Sequence, residues 1–403
     1  MHRRISLLAI LYLSACSADV TNPPKRQAPT PPMAISVFAG DRSTCVLTSG
    51  GAVECWGSNA LGTLGLGTTD SNAHGTPDTV VGGHSFGALS GAASFVCALT
   101  TQGQPWCWGS ALASGSVSHR DSVPMAFAGA PAMSSISVGW GHACGLTVAG
   151  AAYCWGHNQL GELGTGDTVD RATPTPVLGG STWRAISAGI DNTCAVSTTG
   201  QANCWGDTNY VDGAIYSEIE TAPGAPIASP VRFASLHSGA GYQCGLTSGG
   251  AAYCWGLNYA SALGDSTMTF QPVPVAVVGG ITFATIAISG ENSIVPTTCG
   301  LSTQGAAYCW GNQSYEQLGT SAAQLSTCAI TAQQFSVPCS PVPVSVAGGL
   351  TFTAIAVGNT HVCAVTAGGA VYCWGMNDQG QLGTATSTPS ASSPIRVSGF
   401  GTQ

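Results

Sequence analysis

Lysine is almost absent from this 403-residue chain: Lys25 is the only one, and charged residues make up 7% of the whole. From Ile35 onward six arginines (Arg42, Arg120, Arg171, Arg184, Arg232, Arg396) stand against 17 carboxylates, which leaves a formal charge of −11. Nucleic-acid binding draws on a basic footprint that displaces counterions, so that partner class is excluded. Long apolar runs are missing too. Ile5 to Leu13 is too short to cross a bilayer. No His-Glu-x-x-His, phosphate-cradling glycine loop or nucleophile elbow occurs. No metal or other cofactor is expected.

What the chain does have is repetition. Cys-Trp-Gly occurs seven times, each with a second cysteine ten residues earlier. The pairs are Cys45 with Cys55, Cys97 with Cys107, Cys144 with Cys154, Cys194 with Cys204, Cys244 with Cys254, Cys299 with Cys309, and Cys363 with Cys373. The tryptophans that follow (Trp56, Trp108, Trp155, Trp205, Trp255, Trp310, Trp374) recur every 47 to 64 residues. Units of this length bury their faces against one another in an array.

One unit reads as short β-prone runs separated by Gly, Pro and polar clusters: Pro274 to Val277, Phe283 to Ile288, Cys299 to Ser302 and Ala307 to Trp310. Four such strands per unit and seven units predict an all-β, seven-bladed propeller of antiparallel blades over 35–403. The first unit lacks its opening Pro-x-x-Val strand. A spare one, Ser393 to Phe400, follows the seventh hairpin. N- and C-terminal strands sharing one blade would close the ring and remove an exposed edge. A turn at 49–51 puts Cys45 opposite Cys55, within disulfide reach. Zinc prefers clustered ligands, so the pairs read as disulfides of an exported protein. Each tryptophan, one residue on, points to the other face and toward the neighbouring blade.

The N-terminus reads as an export signal, with His2-Arg3-Arg4 ahead of the apolar run. Leu13-Ser14-Ala15-Cys16 resembles a bacterial lipoprotein signal, so that residues 1–15 are cleaved and Cys16 carries lipid. An ordinary secretory signal with an incidental cysteine is the alternative. Of 17 cysteines, the hairpins use 14, Cys328 and Cys339 can pair, and Cys16 is left over. Residues 16–34 hold five prolines and read as an extended tether. Ser17 rather than Asp resembles outer-membrane sorting. The expected location is the bacterial cell envelope, outside the cytoplasm.

Trp155 to Gly166 (WGHNQLGELGTG), Trp374 to Gly383 and Trp56 to Gly65 resemble the signature of the regulator of chromosome condensation repeat family. The resemblance spans Ile35 to about Gly399 and implies a seven-bladed propeller. The Asn-x-x-Gly-x-Leu-Gly segment is absent after Trp108 and Trp205, and its middle glycine is Ser261 after Trp255. The family's founder is a nucleotide-exchange factor on chromatin. No residues here match its exchange element, so the resemblance implies a binding platform.

Connections between the second and third strands, and from the fourth strand onward, share one face, and the insertions gather there. These are Glu291 to Thr298, Ser321 to Ser340 with its pair of Cys328 and Cys339, and Asp207 to Pro230 with Tyr210, Asp212, Tyr216, Glu218 and Glu220. Long loops on a rigid scaffold concentrate function, and tyrosine suits interfaces. The expectation is a monomeric, lipid-anchored binding propeller that takes a protein or glycan partner through these residues and Glu291. The contrasting readings are a cell-envelope hydrolase with carboxylates in the channel, and an enzyme inhibitor. His142 and His361, two residues before hairpin cysteines, are expected to make local hydrogen bonds rather than bind metal. Asp167 and Asp170 are a weak calcium candidate.

Overall fold

The computed structural model describes residues 31–110, 121–209, 219–289, 296–320, 325–330, 335–385 and 388–401. Seven antiparallel sheets follow one another along the chain: blade one 34–79, two 86–126, three 133–176, four 183–206, five 233–276, six 283–345 and seven 354–396. The expected all-β, seven-bladed propeller is what forms. The single helical turn among the described residues is Tyr259–Ser261. Blade four has three strands, and residues 219–227 cover its outer edge. There Gly206 and Glu220 exchange backbone hydrogen bonds, and Ile227 N–H donates to Ala202. Blade six gains a fifth strand, Ser326–Ile330, paired to the long Phe335–Ser345.

The hairpin cysteines pair as the spacing predicts, one disulfide in each blade. Going round the ring, Cys45 joins Cys55, Cys97 joins Cys107, Cys144 joins Cys154 and Cys194 joins Cys204. Cys244 then joins Cys254, Cys299 joins Cys309, and Cys363 joins Cys373. In all seven the partners lie directly opposite each other, with Cα atoms 4.0–4.1 Å apart. Cys328 and Cys339 join across the blade-six insertion. The backbone bond from Thr48 N–H to Ala52 fixes the alternation in blade one and puts Cys45 and Cys55 at a non-hydrogen-bonded position. That is the closer of the two kinds of antiparallel pair.

Two expectations about strand membership need correction. The Pro-x-x-Val run does not open a blade. Gln271–Ala276 pairs with Ala252–Gly256 of the hairpin before it and forms the outer edge of blade five. An edge strand has one side unpaired, so the missing N–H of proline costs it nothing and discourages foreign pairing. Consequently Ala34–Ala39 is the inner strand of blade one, and Ser390–Arg396 is the outer strand of blade seven. The terminal strands do not share a blade. Every blade is a contiguous stretch of chain, because the outer strand completes the hairpin it directly follows.

The ring closes instead by repeating its ordinary junction. A backbone N–H at or just before the start of each blade donates to a turn glycine of the blade before it: Phe86 to Gly51, Met133 to Gly103, Trp183 to Gly150, Phe233 to Gly200, Phe283 to Gly250 and Phe352 to Gly305. Ala34 N–H makes the seventh such bond, to Gly369, at 3.1 Å. Five of the buried tryptophans obey the same rule. The indole N–H of Trp108, Trp205, Trp310 and Trp374 donates to the carbonyl of Thr63, Glu162, Ala262 and Gln317 respectively, each in the connection of the preceding blade. Trp56 reaches back to Gln381 at 2.9 Å and closes the circle. The accepting residue is the one just before the leucine of the Gly-x-Leu-Gly segment, whose first glycine is Ser261 ahead of Ala262 and Glu316 ahead of Gln317. The glycine after the leucine, Gly164, has φ 66°, and a Cβ there would stand 2.7 Å from Trp205 Nε1. Residues 111–120, in the connection that precedes Trp155, lie outside the described residues.

At the inner ends of the blades the limit is space. A Cβ on Gly358 of blade seven would overlap the Gly40 carbonyl of blade one. Gly358→Ala should therefore cost about 1–3 kcal/mol by overpacking, measured by chemical denaturation.

Candidate functional site

The axis of the ring holds a cavity of about 260 Å³, walled by the ends of the inner strands with Phe38, Ser90, Ser137, Ser187, His237 and Thr285 among its residues. Three serines act as rungs. Ser90 Oγ accepts from Val138 N–H at 3.1 Å, Ser137 Oγ from Ala188 N–H at 3.0 Å, and Ser187 Oγ from Ser238 N–H at 2.9 Å. Each ties its blade to the next. Burial pulls the His237 pKa down to about 4. No carboxylate lines this cavity among the described residues, so none of them supplies the paired acids that the hydrolase reading placed in the channel.

His142 and His361 are fully buried and serve junctions between blades. Thr44 Oγ1 donates to Gln381 O at 2.9 Å, so the proton between it and His361 Nε2, 2.7 Å away, belongs to the histidine. Nδ1 is then bare, and it has no hydrogen-bond partner. Blade three repeats the arrangement, with His142 Nε2 2.8 Å from Thr193 Oγ1, which donates to Glu162 O. In blade five Tyr242 takes the same place against Thr298. The carbonyls of Gln381, Glu162 and Ala262 thus each accept from a threonine hydroxyl as well as an indole. These histidines do make hydrogen bonds, but across blade junctions rather than the local ones expected, because their Nε2 atoms face a threonine of the next blade. No group of three His, Cys, Asp or Glu side chains among the described residues is placed to hold a metal.

Burial pushes the pKa of both histidines down to about 3. In the unfolded chain they titrate near 6.5. The unfolded state therefore binds protons that the folded state refuses between those values. Stability is complete above pH 6.5 and declines as pH falls toward 3, by up to about 1.4 kcal/mol per pH unit for each histidine. Denaturation midpoints between pH 7 and 4 should show this slope, and the double variant His142→Gln with His361→Gln should reduce it to the part left by the buried His237.

The loop face carries the connections singled out in the sequence. Tyr210, Asp212, Tyr216, Glu218 and Glu291 lie outside the described residues, as do Cys16 and the export signal. Glu220 lies within them, with its backbone paired to Gly206 beside the exposed Ile219. The blade-six insertion is anchored. Cys328, Ile330, Val337 and Cys339 pack on Ala260 of blade five. Ser261 beneath it keeps the left-handed conformation of the glycine it replaces, with φ 63°. Phe335 and Tyr315 are exposed nearby in the chain. Asp167 accepts from Arg171 at 2.6 Å and from Val169 N–H at 3.1 Å, contacts that hold its carboxyl below the usual range. Asp170 accepts from Asn158 N–H. These two acids staple their own loop. Asp191 is pushed upward by burial, then by the charges of Glu162 and Asp207. The serine rungs and accepting carbonyls had no sequence signal, because serine is common and every residue has a carbonyl. The recurrence of a Leu-Gly segment ahead of the next Cys-Trp-Gly was the usable clue, although the separation of acceptor and tryptophan varies from 43 to 57 residues.

Comparison with known proteins bears on these repeats. The chain matches the Regulator of chromosome condensation (RCC1) repeat in one form over residues 34–63, 133–162 and 352–381, and in another over 149–196, 304–365 and 368–403. It is 31% identical over 99 residues to the human probable E3 ubiquitin-protein ligase HERC3, a match covering 23% of this chain and 8% of that protein. This chain therefore corresponds to under a tenth of that relative. Yeast RCC1 (Prp20), solved bound to Kap60, superposes with a TM-score of 0.73 at 17% identity, over 98% of this chain and 91% of that one. The entire ectodomain of the receptor kinase CR4 from Physcomitrella patens gives 0.52 at 22% identity, over 84% and 72%. At these identities the structural likeness is one of fold.

Proposed function

The chain belongs to the regulator of chromosome condensation repeat family, and from that premise we propose that it is a membrane-anchored, extracytoplasmic binding propeller. Its loop face presents to a protein or glycan partner, and it catalyses nothing. The observation that carries this reading is the set of eight cysteine pairs, one in every blade and one in an insertion. Disulfides in such number belong to compartments where thiols oxidise. Cys16 is the one cysteine outside these pairs, free to carry lipid at the head of its tether. Anchoring fits the bacterial cell envelope, at its outer membrane. Ligation in HERC3 and Kap60 binding by yeast RCC1 are properties of those proteins. The CR4 ectodomain is a precedent for a related fold displayed on a membrane protein's outer side.

Partner contact is assigned to Tyr210, Asp212, Tyr216, Glu218, Glu220 and Glu291, together with the stapled 321–340 loop. Mass spectrometry of chain recovered from its host should find the sixteen paired cysteines blocked to alkylation and a diacylglyceryl mass on Cys16. Free thiols at the paired positions would end the extracytoplasmic reading. Shortening both the 207–230 and 321–340 segments should abolish partner capture while the remaining disulfides stay intact. Undiminished capture would end the assignment of the loop face.

A further inference from the structure

The two faces of the ring differ in charge. Fourteen carboxylates occur among the described residues from 31 onward, and twelve of them sit in, or at the strand ends bordering, loop-face connections. Among the described residues only Arg42 and Arg171 accompany them there. The opposite face is made of hairpin turns such as 49–52 and 148–151 and of links to the next blade such as 80–85 and 277–282. None of those turns and links contains an acid. Its strand ends bring the exposed arginines Arg184, Arg232 and Arg396, against Glu54 and Asp78 of blade one alone. Val148, 90% exposed, and Leu178, 49% exposed, project from the same face.

The chain enters on that face. Met33 O accepts from Ser49 N–H of one hairpin turn, Ala34 N–H donates to Gly369 of another, and Pro32 O accepts from Gly401 N–H. Residues 32–34 therefore lie on the turn side, the side of Arg396, whose guanidinium donates to Phe400 O and Gly401 O. A bilayer bearing anionic headgroups has a negative surface potential felt over about a Debye length. Such a surface repels the loop face and attracts the turn face. A tether of residues 16–31 extended at about 3.1 Å per residue reaches roughly 50 Å. The tether alone would let the body tumble, so charge must set the orientation.

We infer that the turn face docks on an anionic lipid surface and the loop face projects away from it, open to a partner. This deepens the anchored-platform reading and rests on it for the native anchor. The test separates the two. The full chain is coupled through Cys16 to a maleimide-headgroup lipid, so that attachment does not depend on natural lipidation. Val148→Met places a neutral oxidation probe on the turn face, and the native Met268, 49% exposed, reports the loop face. Peroxide oxidation is followed by mass spectrometry on phosphatidylcholine vesicles with and without phosphatidylglycerol. At low salt, oxidation at position 148 should slow at least threefold on the anionic vesicles, with Met268 unchanged. The triple variant Arg184→Gln, Arg232→Gln, Arg396→Gln, or 0.5 M salt, should remove the difference. Equal rates at position 148 on both vesicle types, or slowing at Met268, would overturn the docking. Absence of lipid on Cys16 in host material would instead overturn the native anchor.

Discussion

Reduction of the eight disulfides should unfold this protein at temperatures where the oxidised form is intact. Each hairpin pair spans a sequence separation of 10, and on the chain-entropy view a ring of that size stabilises by about 2–3 kcal/mol. Eight such contributions need not add, yet even half their sum is comparable to the roughly 5–15 kcal/mol of a whole domain. The hairpin sulfurs belong to cysteines that are essentially fully buried, so a mild reductant should act only through opening of the fold. Dithiothreitol should therefore act slowly in native buffer and completely in moderate denaturant. The double variant Cys363→Ser with Cys373→Ser, which removes one bridge from blade seven, should lower stability by about 2–3 kcal/mol. A fully reduced chain with an unchanged melting temperature would contradict this account.

Trp56→Ala should cost more than any other single truncation at the closing junction, about 3–5 kcal/mol. The indole is fully buried, packs with Phe400 at a ring separation of 5.9 Å, and donates to Gln381 O. Its removal would leave a cavity and a lost hydrogen bond at the one junction no covalent link spans. Trp56→Phe keeps most of the packing and should cost the hydrogen bond, about 1–2 kcal/mol. Differential scanning calorimetry of the two variants separates the contributions. If Trp56→Ala melts with the wild type, blades one and seven are held together by something other than this junction.

Much of the design was legible in the sequence because it repeats. The register of Cys45 with Cys55 followed from a two-fold alternation about a glycine turn, and the same count placed Cys107, Cys154, Cys204, Cys254, Cys309 and Cys373 opposite their partners. Burial of the tryptophans followed from their standing one residue further on. The strand phase was misread for a physical reason. A Pro-x-x-Val run between two hairpins pairs equally well with either by pattern, and only the sheet shows that it completes the hairpin it follows. His142 and His361 were legible as hydrogen-bonding residues. Their partners, Thr193 and Thr44, were not, because those contacts cross blades and one of them joins residues 317 apart in sequence.

The sequence by itself determined the number of blades, the pairing of cysteines and the strand content, since each depends on contacts between neighbours in the chain. Only the tertiary structure decided how the ring closes, which carbonyls the tryptophans seek, and that the described residues lining the channel bring hydroxyl, imidazole and apolar groups rather than acids. It also sorted the charges onto one face. All of these depend on which strand ends point the same way around the axis, which local pattern does not specify.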